Sequence, residues 1–502
     1  MTNELEQDQI KHYDVVVIGA GLSGVCAAIK LKEAGITNIG IFEKASDVGG
    51  TWRDNRYPGV ACDVPSHLYS YSFAPNPDWS RWYAPGPEIL DYIRDCAIEY
   101  GVFEQITFDT TIASATWQST YWELRDSHGG DSKCSVFRST SIISALGGLH
   151  TPNIPELPGR DLYDGLQFHT SEWPDELDLT GKRVAVVGTG ATAVQLVPEI
   201  ADEVAELVVF QRSPVWVGPK KDPEYTEAER EEFRTNPAAL QNVRDRLYDL
   251  WEPTSIELHK AGSDVNTGAE ARARQEIERS VTDPELINAL TPDFNFACKR
   301  PTMSSRYYQT FDRDNVTLVS GSVESLTKSA VVSAGEHHDV DVVIFATGFK
   351  PFNVTHEIDL IGIDGLTLGE VWQKEVTSYK TVMVHDFPNL FFMMGPNGTG
   401  LQSALQTIEA QAEYAVGAVE QMRRDGIAGL NPKQQLVDEF TRTVRDIFEG
   451  TTHSKGCTSW WTADTGFNHS IWPGSSDEYR ALLAELDLSE FEISRTETTD
   501  HG

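Results

Sequence analysis

Paired cysteines are missing from this 502-residue chain. Its six cysteines (Cys26, Cys62, Cys96, Cys134, Cys298 and Cys457) are scattered, and none stands in C-x-x-C spacing. Neither a zinc site nor a redox-active disulfide is therefore indicated, and no metal is expected. So few thiols in so long a chain fit a reducing cytosol. Long apolar runs are also missing: no stretch reaches the ~20 apolar residues that a membrane span requires. The first residues carry no apolar signal core, so the sequence implies a soluble, cytoplasmic protein without a membrane partner.

Basic residues are scarce as well. Lys and Arg total 41 against 76 Asp and Glu, a formal net charge of −35. So acidic a surface repels nucleic acid and anionic lipid, which excludes both as partners. The charge marks either a salt-rich cytoplasm or merely a soluble acidic enzyme, and composition does not choose between them. What the chain does have is ordinary: 40% hydrophobic residues with 12 Trp and 16 Tyr, enough to fold nearly throughout. Only Met1–Lys11 and Thr496–Gly502 read as loose polar tails.

An apolar run at Tyr13–Ile18 leads into Gly19-Ala20-Gly21-Leu22-Ser23-Gly24. A helical pattern follows to Ala34, and a second strand at Ile39–Phe42 ends on Glu43. Short alternating strands near Thr111–Trp117 and Tyr121–Arg125 suggest an antiparallel insertion. The nucleotide pattern restarts at Arg183–Val187 with Gly188-Thr189-Gly190-Ala191-Thr192-Ala193, a helix to Ile200 and a strand ending at Gln211-Arg212-Ser213. Helical spacing covers Asp222–Ser280. A strand at Asp341–Phe345 precedes Ala346-Thr347-Gly348, where the chain returns to the first unit. A strand at Asn389–Met394 and a long helix at Ser403–Arg423 follow.

The fold class is α/β: two doubly wound Rossmann-like dinucleotide-binding domains, one inserted in the other, with a helical insertion. The boundaries are 1–150 for the first part of an FAD-binding domain and 151–340 for an NADP-binding domain, with its helical insertion at about 222–290. Residues 341–502 form the second part of the FAD domain with C-terminal loop and helices. Proline- and glycine-rich links at Thr151–Pro158 and Gly348–Pro351 are expected hinges.

In a G-x-G-x-x-G turn the first glycine makes the bend, and the second lets backbone approach a pyrophosphate. The third lets helix and strand pack closely. Gly19, Gly21 and Gly24 meet this pattern, and Glu43 can accept from ribose hydroxyls, as the adenosine of FAD or NAD requires. The second turn (Gly188, Gly190, Ala193) is followed by Arg212, which suits a 2′-phosphate and so predicts NADPH. Opposite ribose readers imply two cofactors, with electrons passing from NADPH to a flavin.

Between the two units, Tyr163-Asp164-Gly165-Leu166-Gln167-Phe168-His169-Thr170-Ser171-Glu172-Trp173-Pro174 resembles the Baeyer–Villiger monooxygenase fingerprint F-x-G-x-x-x-H-x-x-x-W-P/D, with Tyr163 for the first Phe. The resemblance runs from Tyr13 to about Leu486. It implies that Ser23, Thr51, Trp52, Asp63, Tyr69 and Ile112 join Gly19, Gly21, Gly24 and Glu43 around FAD. It likewise implies that Thr189, Ala191, Thr192, Gln195, Ser213, Lys299, Arg300 and Trp460 join Gly188, Gly190 and Arg212 around NADP. Trp460 follows Ser459 in a segment that resembles the family's mobile loop, and Gly398–Leu405 contributes to the ketone pocket. His169 is expected as a hinge histidine bonded to backbone.

The chemistry implied by the resemblance uses a small-molecule ketone and O₂. NADPH reduces FAD, O₂ adds to give a C4a-peroxyflavin, and its deprotonated form attacks the ketone carbonyl to give an ester or lactone. Arg300 is implied as the catalytic cation that stabilises negative oxygen, with Asp63 holding it. A monomer or weak homo-oligomer suffices. The alternative enzyme is a flavin-containing monooxygenase acting on amines or sulfides, against which Trp173-Pro174 and Arg300 weigh. A non-enzymatic redox sensor is the alternative of another class.

Overall fold

A computed structural model of the chain describes residues 10–127, 135–351, 357–454 and 467–495. Val15, Val16 and Val17 are fully buried in strand β1 (Lys11–Ile18), where β-branched side chains pack on both faces of a parallel sheet. The strand takes in Lys11 and His12 and so starts slightly before the apolar run. Helix α1 (Leu22–Glu33) buries Val25, Ile29 and Leu31, carries Lys30 and Lys32 in its last turn, and is followed by Gly35 at φ +73°. Strand β2 (Ile39–Phe42) pairs parallel with β1.

On the other side of β1 lies Val136–Ser144, again parallel. Thr111–Trp117 and Trp122–Ser127 join antiparallel, Ile106–Thr107 flanks β2, and Asp359–Ile361 and Leu390–Phe392 complete an eight-stranded sheet. The last two strands come from beyond residue 348, so the first sheet is closed by chain that has left and returned.

The second sheet has five strands, all parallel. Strands β3 (Arg183–Val187) and β4 (Glu206–Gln211) flank each other, with helix α2 (Ala191–Ile200) between them in sequence. Val316–Ser320 lies beyond β4; on the other side come Val342–Phe345 and then Leu166–His169. The strand near residue 341 belongs to this second sheet, so the stretch from residue 341 up to the turn at Gly348 goes with the second sheet and not with the first. The fingerprint segment contributes an edge strand, Leu166–His169, to the same sheet. The two connections run side by side: Pro152 bridges Phe349, and Asn153 N donates to Gly348 O at 2.8 Å.

The helical insertion is built as the sequence suggests. It comprises Glu227–Thr235, α3 (Pro237–His259), α4 (Asp264–Ser280) and Pro284–Leu290. Thr226, Ser263 and Asp283 cap three of these helices, each accepting from a first-turn amide. Helix α5 (Ala404–Asp425) starts at the cap Ser403 and stops at Gly426, φ +64°. It shares one apolar core with α1. Among the described residues, no helix is long and apolar enough to cross a membrane.

Candidate active site

Both glycine turns have the form that a bound pyrophosphate needs. Gly19 sits at φ +102°, where a Cβ would lie 2.5 Å from the Ala145 carbonyl. A Cβ at Gly24 would lie 1.9 Å from Gly19 O, so both positions forbid a side chain. Gly21 differs: its nearest neighbour, Gly50 Cα, would be an ordinary 3.7 Å away. Packing does not demand glycine there, whereas close approach of a ligand would. The second turn repeats this. A Cβ at Gly188 (φ +114°) would meet Ala346 O at 2.5 Å, while one at Gly190 would meet nothing within 4 Å. Ala193, at the third position, is fully buried and accommodates its methyl.

This geometry gives Ala145-Leu146-Gly147 and Ala346-Thr347-Gly348 one shared role, which sequence alone does not reveal. Each ends the strand beside a glycine turn and presses a carbonyl against it. Gly147 and Gly348 then turn left-handed, at φ +73° and +78°.

Glu43 is 5% exposed at the end of β2. Its carboxylate accepts from Ala20 N at 2.8 Å and from Ala45 N at 3.0 Å, and Arg53 Nη1 lies 3.2 Å away. It thus braces the first turn while retaining lone pairs for a ribose. Arg53 was not among the expected residues, since a charged side chain next to Trp52 reads as surface. Thr51 Oγ1 donates to Leu149 O at 3.3 Å, and Ser23 is buried on α1. Trp52 Nε1 donates to the Tyr69 hydroxyl at 3.2 Å, their rings edge-on at 5.6 Å. Ile112 is buried in an apolar cluster with Ile18 and Phe42, so its side chain serves packing.

At the second turn, Thr189 Oγ1 donates to Ser213 O at 3.0 Å and ties the turn to the ribose reader. Arg212 is exposed and makes no ion pair among the described residues. Lys299 Nζ donates to Ser213 Oγ at 2.8 Å. Burial and the nearby Arg212 charge hold the Lys299 ammonium below its usual range. Two neighbouring cations, with the Lys299 ammonium disfavoured beside Arg212, form a receptor for an anion. Ala191 and Thr192 open α2. Gln195, expected beside NADP, has both amide atoms engaged across the domain boundary. It accepts from the Tyr57 hydroxyl at 2.8 Å and donates to Ala61 O at 2.9 Å. Gly59 lies tight against the same helix, where a Cβ would be 2.9 Å from Gln195 O. Trp460 lies outside the described residues.

Asp63 and Arg300 come from different domains and meet as a bidentate pair. Arg300 Nε and Nη2 donate to the carboxylate at 2.9 and 2.6 Å. Protein surrounds Arg300, yet its side chain is 40% exposed, against 27% for Asp63. Burial pushes the Asp63 carboxyl up, but the guanidinium overrides this and holds it below the usual carboxylate range. Tyr69 and Cys62 stand close enough to act on the Arg300 charge. Gly21 thus lies against Gly50, two residues before Trp52, and Trp52 contacts Tyr69.

His169 is fully buried, with Nε2 3.0 Å from Gly348 O and Nδ1 2.8 Å from Ser171 Oγ. Burial pushes it down to about 4, so it is neutral and serves the hinge. The Trp173 ring meets Phe168 edge-on at 5.3 Å, while its carbonyl accepts from Arg56 Nη2 at 3.2 Å. Cys26, Cys62 and Cys96 are free and buried, whereas Cys298, next to Lys299, is disulfide-bonded, which a reading of the few thiols as a sign of a reducing cytosol does not anticipate. Among the described residues no group of three His, Cys, Asp or Glu could hold a metal ion.

Residues 12–225 match the family model described as flavin-binding monooxygenase-like. Over 492 residues the chain is 37% identical to a Baeyer–Villiger monooxygenase of Pseudomonas aeruginosa, covering 97% of this chain and 92% of that protein. A closed crystal structure of cyclohexanone monooxygenase superposes with a TM-score of 0.86 at 29% identity, covering 97% of this chain and all of the other. A complex of OTEMO with FAD and NADP superposes with a TM-score of 0.85 at 27% identity, covering 96% and 99%.

Proposed function

The chain belongs to the Baeyer–Villiger monooxygenase family of flavin-binding monooxygenases, and from that premise we propose how its own residues carry the reaction. It is an NADPH-dependent FAD monooxygenase that turns a ketone, O₂, NADPH and a proton into an ester or lactone, water and NADP⁺. When bound, FAD takes hydride from NADPH and activates O₂. The two open glycine positions, Gly21 and Gly190, support this pairing of cofactors, since each leaves room for a phosphate against backbone.

Glu43 receives the ribose of FAD, and Arg212 with Lys299 and Ser213 receives the 2′-phosphate of NADPH. Trp52 and Tyr69, linked by their hydrogen bond, wall the cleft between the turns. Arg300 faces the reacting oxygen. As the carbonyl carbon gains its fourth bond, negative charge builds on oxygen, and a cation already held in place stabilises it without reorganising. Asp63 keeps the guanidinium oriented through two bonds. The observation that carries this reading is that pair: residues 237 positions apart contribute opposite charges to one bidentate contact.

A cytoplasmic enzyme acting as a monomer or weak homo-oligomer completes the proposal. It is supported by the need for NADPH and by two nucleotide turns built within one chain. The decisive experiment supplies cyclic, linear, aryl and steroidal ketones beside a sulfide and follows products by mass spectrometry. Ester or lactone formation is expected. Sulfoxide as the only product would overturn ketone oxygenation.

A further inference from the structure

Lys299 and Arg300 hang from a stretch, residues 291–300, that has neither helix nor strand. Its carbonyls have no ladder to satisfy them, and buried backbone acceptors require partners. Side chains supply these one after another. Trp216 Nε1 donates to Phe294 O at 2.7 Å. Asn266 Nδ2, on the first turn of α4, donates to Phe296 O at 2.8 Å and to Leu258 O at 2.7 Å. Thr452 Oγ1 donates to Ala297 O at 3.0 Å. His453 stacks on His259, the last residue of α3, at 5.2 Å.

Two features separate this arrangement from ordinary satisfaction of buried groups. Ala297 is held at φ +63°, a left-handed conformation that residues with a Cβ rarely adopt. The bend falls two residues before Lys299 and three before Arg300. The donors flanking it also come from distant parts of the chain: Asn266 from the helical insertion, Thr452 from the C-terminal region. Both are almost wholly buried, 2% and 1% exposed.

We propose that Asn266 and Thr452 are positioning residues for the catalytic cation. By holding the Phe296 and Ala297 carbonyls they set the left-handed turn from which Lys299 and Arg300 project into the cleft. The helical insertion thereby acts in the reaction, although it carries no expected site residue. This inference rests on the role given to Arg300 under the proposed function.

Thr452→Val keeps the shape of the side chain but removes the donor, leaving the Ala297 carbonyl unpaired and the bend free to relax. In the holoenzyme, ester formed per NADPH consumed should fall about three- to tenfold, with hydrogen peroxide making up the difference. Flavin bleaching by NADPH should change less than coupling. Thr452→Ser restores the hydroxyl and should restore coupling. Asn266→Ala should uncouple in the same direction and serves if Thr452→Val does not fold. Hydrogen exchange of the protein without NADP or ketone provides a readout apart from activity. Amides of residues 295–300, among them the Cys298 N–H bonded to Asn295 O at 3.1 Å, should exchange about tenfold faster in Thr452→Val.

Full coupling in both Thr452→Val and Asn266→Ala would overturn the proposal. So would uncoupling without faster exchange, or a Thr452→Ser variant as uncoupled as Thr452→Val. If Arg300→Ala uncouples while these two variants do not, only the clamp fails. If Arg300→Ala itself stays coupled, the assignment of Arg300 fails first.

Discussion

Replacing Arg300 with alanine should divide the reaction into a part that survives and a part that does not. The side chain reaches Asp63 by two hydrogen bonds of 2.9 and 2.6 Å, yet 40% of it and 27% of Asp63 remain exposed. Solvent screening limits what such a pair gives to folding to about 1 kcal/mol, a loss of about 1 °C in melting temperature for a chain of 502 residues. Facing a developing oxyanion, the same cation is worth more. Losing one preorganised donor costs ~10²–10³-fold, about 2.7–4 kcal/mol, and a full charge should lie at the upper end. Catalysis should therefore fail while the fold persists. Bleaching of the yellow chromophore by NADPH under anaerobic mixing should continue, because Gly188, Gly190, Arg212 and Lys299 are untouched. With air admitted, NADPH and O₂ should be consumed and hydrogen peroxide released in place of ester. The Asp63 carboxyl should also titrate higher, since the burial that raises it is no longer opposed by the guanidinium. Stopped-flow spectroscopy with peroxide and ester quantification decides the matter. Ester formation near the wild-type rate would show that Arg300 is not the stabilising cation, and the role of Asp63 would fall with it.

Three further outcomes are expected. Arg212→Ala should raise the Michaelis constant for NADPH about ten- to a hundredfold and leave that for NADH nearly unchanged; equal losses with both would exclude 2′-phosphate recognition. Gly24→Ala should abolish FAD retention by disrupting the turn, whereas Gly190→Ala, whose methyl meets no atom within 4 Å, should melt like the wild type but bind NADP⁺ weakly; normal NADP⁺ affinity there would place the pyrophosphate elsewhere. Burial pushes His169 and His259 down to about 4 and His453 to about 3, from an ordinary 6.5, so below that value the unfolded chain takes up protons that the folded one refuses. Their contribution to stability is complete above pH 6.5 and is lost as pH falls toward 4; the melting temperature should decline across that window, less steeply in His169→Gln, and a flat profile would contradict the buried neutral histidines.

Some of this protein was legible without coordinates, because it depends on neighbours in sequence. The strand–turn–helix units at Val15–Glu43 and Arg183–Arg212 rest on local periodicity and on glycines whose spacing is chemically required, so both cofactors could be inferred. The caps at Thr226, Ser263 and Asp283 begin the helical insertion for equally local reasons. Tertiary structure decided whatever depends on distant partners. Val342–Phe345 reads as a strand, but only its parallel pairing with β3 assigns it to the second sheet. Gln195 lies in the helix that follows the second glycine turn, yet its amide is bound to Tyr57 and Ala61, over 130 residues away. Nothing beside Asn266 or Thr452 in sequence marks them as supports of Ala297. A side chain's hydrogen-bond partner is set by where the chain returns in space, and periodicity carries no record of that.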